Sequence, residues 1–252
     1  MKKIIKEKGL GAIILAAGKG KRMNSKKINK VALNLANKPM ILRTLQLLQA
    51  LYIETIIVVV GFAKDSVIKL LDGGVIFAHQ KKRLGTAHAV SVALKKLPKN
   101  IEHVLVLNGD DSAFYNKQTI KKLIEWHFES NSDLTLLTIE KEDPSGLGRI
   151  VRNKTGKIVS IIEEKDASLK EKKIKEINPA CYCFKVSFLR KFLKKVGKSP
   201  ATGEYYLTSL IDLGAINNAK IESHRINKLL WRGVNTRDEL KEAERLFARI
   251  KI

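Results

Sequence analysis

The sequence predicts an α/β fold built on a doubly wound, mostly parallel sheet, with a small mixed β subdomain added after it. Three observations predict it. The first is an apolar run at 12–17 that a glycine- and lysine-rich loop and then a helical pattern at 39–51 follow, the start of a β-loop-α unit. The second is continued alternation: strands at 55–60, 75–78 and 103–107 interleave with helices at 65–71 and 86–97. The third is a change of rhythm after a helix at 117–129 and a strand at 133–139.

From there the segment GRIVRNKTGKIVSIIEEKD carries two β-rich runs around 153–156, a hairpin signal. A further strand falls at 181–184, where Cys181 and Cys183 alternate onto one face as packing thiols, too close in sequence for a structural bridge. Thr236 as N-cap with Glu239 three residues on forms a capping box, which opens an amphipathic helix reaching nearly to Ile252. No repeat, low-complexity tract or proline-rich linker separates independent domains.

The formal charge of +23 comes from 48 Lys and Arg against 25 Asp and Glu. Such an excess would suit a nucleic-acid backbone. The basic residues, however, are mostly lysines scattered through nearly every helical segment, as in LKEKKIKE and RKFLKK, rather than gathered beside aromatics. A solvated lysine surface is the better reading, nucleic acid is not expected, and an electropositive cleft would draw anionic small molecules. No stretch approaches the apolar length of a membrane span, so no membrane partner is expected and the expected location is cytoplasmic.

The loop Gly18-Lys19-Gly20-Lys21-Arg22 follows the first strand, at the sheet edge where open α/β folds place ligands. It lacks the third glycine of a dinucleotide fingerprint and the Gly-Lys-Ser/Thr of a Walker loop. Alone, it reads as a plain glycine turn. It is not alone. LAAGKGKRM with Lys30 resembles the signature of sugar-phosphate nucleotidyltransferases, and QKKRLGTAHAV, VLNGDD, DPSGLGRIVR, IIEEKDA, EINPA, GEYYLTSLI and GVNTRDEL follow in that family's order. The set is most similar to the uridylyltransferase half of the bacterial bifunctional N-acetylglucosamine-1-phosphate uridylyltransferase/glucosamine-1-phosphate acetyltransferases.

The resemblance implies a Rossmann-like nucleotidyltransferase fold in one domain: a nucleotide lobe at about 9–139, a sugar lobe at about 140–235 and a terminal helix at 236–252. It implies Mg²⁺-dependent transfer of UMP from UTP to N-acetylglucosamine 1-phosphate, with Mn²⁺ able to substitute, giving UDP-N-acetylglucosamine and pyrophosphate. Arg22 and Lys30 would hold the triphosphate and stabilise charge in the transition state. Leu15, Ala16, Ala17, Gly18 and Gly20 would form the nucleotide-binding edge, with Gln80, Gly85 and Thr86 reading the base. Asp110 and Asn235 would ligate the metal, Asp111 being the rival ligand beside Asp110. Asn108, Gly148, Glu163, Asn178 and Tyr205 would contact the sugar.

The chain departs from the family at Lys21, Arg83, Asn108 and Asn178-Pro179-Ala180. The last change stiffens the backbone beside the expected acetamido pocket. Nucleotidyl transfer is therefore more securely implied than the sugar. Glucose 1-phosphate or another hexose phosphate, with UTP or dTTP, is the first alternative, a non-catalytic sugar-nucleotide binder the second and a basic nucleic-acid-binding protein the third. No hexapeptide-repeat β-helix is present, so acetyl transfer is not expected.

Overall fold

A computed structural model of the chain describes residues 1–20, 23, 27–71, 73–226 and 231–248. In chain order these form α1 (Lys2–Glu7), β1 (Leu10–Ala16), β2 (Asn34–Leu35), β3 (Lys38–Pro39), α2 (Met40–Ala50), β4 (Ile56–Val60), α3 (Lys64–Ile68), β5 (Ile76–His79), α4 (Thr86–Leu94) and β6 (His103–Asn108). There follow α5 (Lys117–Glu129), β7 (Leu134–Glu140), β8 (Gly148–Arg152), β9 (Ile158–Ile162), β10 (Glu176–Asn178), β11 (Cys181–Lys185), α6 (Val186–Phe192), α7 (Ser209–Ile216), β12 (Ile221–Ile226) and α8 (Arg237–Phe247).

One sheet runs in the order β5-β4-β1-β6-β11-β7-β10-β8-β9, with β12 also on β7. The pairings give β1, β4, β5, β6, β7, β8 and β12 one direction and β9, β10 and β11 the other. Alternate residues of the strands feed two cores. Ala12, Ile14, Val58 and Leu105 pack on one face with Ile41, Leu48, Leu123 and Phe247, while Ile13, Ile57, Val59 and Val106 pack on the other with Val90, Leu189 and Ile211. The sheet is thus covered by helices on both faces, and its central parallel strands β1 and β4 are apolar throughout because neither face of them meets water. Cys181 and Cys183 are free, buried and in the same core, as their spacing predicts.

The mixed β segment continues this sheet, and the way it joins creates the cleft. β7 uses Leu134 to Leu136 to pair with β11 and Ile139 to Glu140 to pair with β10, on the edge opposite β12. β10 and β11 are therefore two halves of one interrupted strand: β11 bridges β6 and β7, and β10 bridges β7 and β8. Pro179 and Ala180 form the interruption, with Ala180 in the left-handed region at φ 55°. Proline cannot donate to a ladder, so pairing breaks there and the sheet forks beside the end of β6.

The hairpin of β8 and β9 turns where the sequence predicts. Asn153 Oδ1 accepts from the backbone of Thr155 and Lys157 at 3.0 Å each, and Gly156 supplies φ 81°. The final helix has its capping box, Thr236 accepting from Glu239 N at 3.1 Å and Glu239 from Thr236 N at 3.0 Å. It ends at Phe247; residues 249–252, into which the expected helix would run, lie outside those described.

A buried polar chain crosses the side of the sheet away from the cleft. His103 Nδ1 meets His127 Nε2 at 2.9 Å, and His127 Nδ1 meets Thr135 Oγ1 at 2.9 Å. Burial first, then His103 and Lys185, hold His127 down to about 3. Burial first, then Lys185, hold His103 down to about 4. Both rings are thus neutral when folded, whereas the unfolded chain binds their protons near 6.5. Their contribution to stability is present above that value and is lost as pH falls toward about 4. The melting temperature should therefore drop across that window, and His127→Gln, which cannot titrate, should show a shallower drop measured by circular dichroism. Equal slopes in parent and variant would contradict this role for the pair.

Candidate functional site

The forked edge of the sheet opens a cleft of about 240 Å³. Leu15, Asn108 and Asp110 line it from the carboxyl ends of β1 and β6, Gly148, Glu163 and Asn178 from the mixed segment, and Asn235 from the segment before α8. The position follows from the parallel strands β1 and β6, whose carboxyl ends reach this edge.

At its mouth Lys30 Nζ donates to Asn235 Oδ1 at 3.0 Å and is ion-paired with Asp110 Oδ2. Two oxygens from distant parts of the chain thus converge on one ammonium, and the lysine and aspartate side chains retain only 14% exposure each. Asn235 is fixed from behind by the capping box: Glu239 Oε2, besides accepting from Thr236, accepts from Asn235 N at 2.5 Å. Asp110 and Asn235 form a two-oxygen donor set that fits a hard divalent cation completed by water and substrate oxygens. Among the described residues no group of three or more His, Cys, Asp or Glu could hold a metal.

Asp111, the rival ligand, is buried. Its Oδ2 accepts from Asn108 Nδ2 at 3.4 Å, and burial, then the neighbouring Asp110, push its carboxyl well above the usual range. That environment disfavours a second negative charge. Asp110, which faces Lys30, is the carboxylate aimed at the shared cation.

Arg22 and Lys21 lie outside the described residues. The rest of the glycine loop is held by a residue the sequence reading overlooked, Asn29. Its side chain is buried, with Nδ2 donating to Ala16 O at 3.0 Å, Phe62 O at 2.7 Å and Gly18 O at 3.3 Å. Its Oδ1 accepts from Val31 N at 3.1 Å, capping the 3-10 turn Lys30–Ala32. One amide therefore ties the end of β1 to the turn after β4 and sets the backbone of Lys30. The signal was present, because asparagine before a helical turn is an N-cap pattern.

Gln80 is buried rather than facing the cleft. Its Nε2 donates to Gly85 O at 3.0 Å and to His88 Nδ1 at 2.9 Å, so its donor side is engaged within the protein. Burial and Lys95 lower the His88 pKa, which favours the neutral ring this bond requires. Gly85 has φ 111°, and a Cβ there would stand 2.4 Å from Tyr205 O. The following segments are zipped together: Tyr205 N donates to Leu84 O at 2.8 Å, Ala87 N to Tyr205 O at 2.9 Å and Leu207 N to Thr86 Oγ1 at 2.8 Å. The structure therefore places Tyr205 in this zipper, its ring beside Lys198, and its neighbour Tyr206 on the cleft wall. An extended segment turns successive side chains opposite ways, which explains the one-residue displacement.

On the mixed side, Glu163 Oε1 accepts from Thr208 Oγ1 at 2.9 Å, and burial raises the Glu163 pKa. Glu164 turns the other way: its Oε2 accepts from Arg149 Nη2 at 2.6 Å and Gly146 N at 3.1 Å, pinning the backbone before Gly148. Asn178 lines the cleft, but Nδ2 donates to Tyr182 Oη at 2.5 Å and Oδ1 accepts from Ala180 N at 3.0 Å, so it braces the fork. At Gly148 a Cβ would stand 3.1 Å from Ile161 Cγ2, so a side chain there would crowd the wall.

The profile described as nucleotidyl transferase matches residues 11–249. The bifunctional protein GlmU of Caldanaerobacter subterraneus subsp. tengcongensis is 40% identical over 245 residues, covering 95% of this chain and 52% of that relative. GlmU of Caldicellulosiruptor saccharolyticus is 41% identical over 235 residues, covering 92% of this chain and 50% of that relative. The chain therefore spans about half the length of these relatives. A solved structure assigned as a glucose-1-phosphate thymidylyltransferase from Bacillus anthracis, in complex with sucrose, superposes with a TM-score of 0.78. It covers 96% of this chain and 97% of its own at 24% identity, a likeness of fold. Among the described residues no helix is long and apolar enough to cross a membrane.

Two substitutions test how the cleft is held. Gly85→Ala combines a positive φ with backbone overlap and should cost about 2 kcal/mol or more in urea unfolding. Asn29→Ala strips donors from three carbonyls and should cost about 2 kcal/mol. A change within about 0.5 kcal/mol for either, the scale of a neutral surface substitution, would contradict its assignment.

Proposed function

Because the chain belongs to the nucleotidyl transferase family, we propose that it transfers UMP from UTP to N-acetylglucosamine 1-phosphate, releasing pyrophosphate and using Mg²⁺, for which Mn²⁺ can substitute. The observation that carries the reading is the convergence of Asp110, Asn235 and Lys30 at the mouth of a cleft whose other wall bears Glu163 and Gly148. The GlmU relatives support the uridylyl and N-acetylglucosamine assignments.

In the reaction a phosphate oxygen of the sugar 1-phosphate forms a bond to the α-phosphorus of UTP. The bond from that phosphorus to the oxygen bridging to the β-phosphate breaks, and pyrophosphate carries away its electron pair. Both reactants are anions, so alignment and charge neutralisation supply most of the acceleration. When bound by Asp110 and Asn235, Mg²⁺ would neutralise phosphate charge as a Lewis acid. Lys30 would stabilise the triphosphate, together with Arg22 and the backbone of Leu15, Ala16, Ala17, Gly18 and Gly20. Gly85 and Thr86 would present the base-binding edge, with Gln80 holding Gly85 from behind. Asn108, Gly148, Glu163 and Asn178 would shape the sugar side, with Tyr206 in the part expected of Tyr205. On this reading about 9–139 is the nucleotide lobe, about 140–235 the sugar lobe and 236–252 the terminal segment whose start anchors Asn235.

A second reading keeps the chemistry and changes the sugar to glucose 1-phosphate, with UTP or dTTP. The internal hydrogen bonds of Asn178 favour it, because they leave less of that amide for an acetamido group.

Pyrophosphate release across a matrix of UTP, dTTP, CTP, ATP and GTP against N-acetylglucosamine 1-phosphate and glucose 1-phosphate tests both. UTP with N-acetylglucosamine 1-phosphate should have the highest kcat/KM. Preference for glucose 1-phosphate would select the second reading, and no release from any pair would refute both. Gln80→Glu replaces the donor to Gly85 O with an acceptor, so it should raise the KM for UTP about tenfold or more by disturbing the loop. An unchanged KM would remove Gln80 from the base site.

A further inference from the structure

We propose that Lys30 is a resident counter-cation, whose ammonium holds the place between Asp110 and Asn235 in the free protein and must leave it before a divalent ion can bind. This rests on the metal-dependent reading above and adds an order of events to it. Nζ already has both oxygens, Asn235 Oδ1 at 3.0 Å and Asp110 Oδ2 in an ion pair. A magnesium ion holds its oxygens at about 2.1 Å, closer than an ammonium does, so on the same two atoms the cations would overlap in space as well as repel.

Lys30 is built to make the exchange without moving its backbone. Asn29, the residue before it, is fixed by four side-chain hydrogen bonds with Ala16, Gly18, Phe62 and Val31, and Val31 after it is buried. Only the four-carbon stem can swing. That stem runs beside the glycine loop: a Cβ at Gly20 would lie 3.4 Å from Lys30 Cβ. One end of its arc is the Asp110–Asn235 pair and the other is the loop proposed to take the triphosphate. An incoming triphosphate thus offers Lys30 new anionic partners and frees the two oxygens. Occupation of the loop and of the metal site is then positively coupled, and by linkage the coupling is reciprocal. Without nucleotide Lys30 keeps the pair neutralised and guards it against adventitious cations.

The test is Mn²⁺ alone, titrated into the nucleotide-free full chain, with free Mn²⁺ followed by electron paramagnetic resonance and the melting temperature recorded beside it. Lys30→Met should bind Mn²⁺ about tenfold or more tightly than the parent, the scale of an ordinary two-site coupling, and gain the larger Mn²⁺-dependent rise in melting temperature. Lys30→Ala provides a second neutral replacement should Lys30→Met fail to fold. Lys30→Arg, which keeps the charge, should bind as weakly as the parent, and Lys30→Met with Asp110→Asn should lose the gain, locating it at this pair. Equal or weaker Mn²⁺ binding in the neutral variants overturns the proposal. If pyrophosphate release by the parent is at the same time abolished by a chelator, the metal-dependent reading survives and only the exchange is wrong. Chelator-resistant release overturns both.

Discussion

Two oxygens and one ammonium, contributed by the loop after β1, the end of β6 and the approach to α8, meet at a single point, and most of the cleft can be understood as what is needed to bring them there. Lys30 and Asn235 are separated by 205 residues in sequence. Their meeting requires the sheet to deliver Asp110 at the end of β6, Asn29 to lock the turn that starts with Lys30, and the capping box of α8 to hold Asn235. Each support is an ordinary local device. An N-cap asparagine, a strand terminus and a helix N-terminus are given a common target, so the strength of the site lies in the rigidity behind it rather than in any one contact.

The sheet fork supplies the second half of the arrangement. A continuous strand between β6 and β7 would close the carboxyl edge with backbone hydrogen bonds. Pro179 removes a donor and Ala180 adopts a positive φ, so the strand changes partner from β6 to β8 and leaves a gap. Asn178 ends β10 at this break, Gly148 pairs with it at the start of β8, and Glu163 follows the end of β9, so the three border that gap. The charged groups lie on one side and the partly desolvated carboxylate of Glu163 on the other, a division that suits a ligand with a phosphate at one end and hydroxyls at the other.

The parts of this arrangement that were legible in the sequence are those governed by local pattern. The apolar runs gave β1, β4 and β6 because parallel strands buried on both faces leave no polar alternation to confuse them. The hairpin at Asn153 and the capping box at Thr236 were equally plain, since each closes within five residues. Helix ends were less so: the helix expected over 86–97 is α4, ending at Leu94, and short elements such as α1 and the β2–β3 pair carry too few residues for a periodicity. Long-range pairing was not legible at all. Nothing local says that β11 inserts antiparallel between β6 and β7, that Asn29 reaches Phe62, or that the amide of Gln80 turns to Gly85. Resemblance paired Asp110 with Asn235 at the metal and Lys30 with Arg22 at the triphosphate, but the contacts that join Lys30 to Asp110 and Asn235 are a property of the folded chain.

The central claim is that Asp110 and Asn235 act as one unit on one cation, and a double-mutant cycle on pyrophosphate release tests it most directly. Asp110→Asn, Asn235→Ala and the double variant would be compared with the parent by kcat/KM at saturating Mg²⁺, with circular dichroism confirming that each is folded. Asp110→Asn should be the more damaging single change, and the double variant should lose far less than the sum of the two, because the first loss already removes the shared cation. Losses that add within about 0.5 kcal/mol would mean that the two residues act independently, and would contradict the claim.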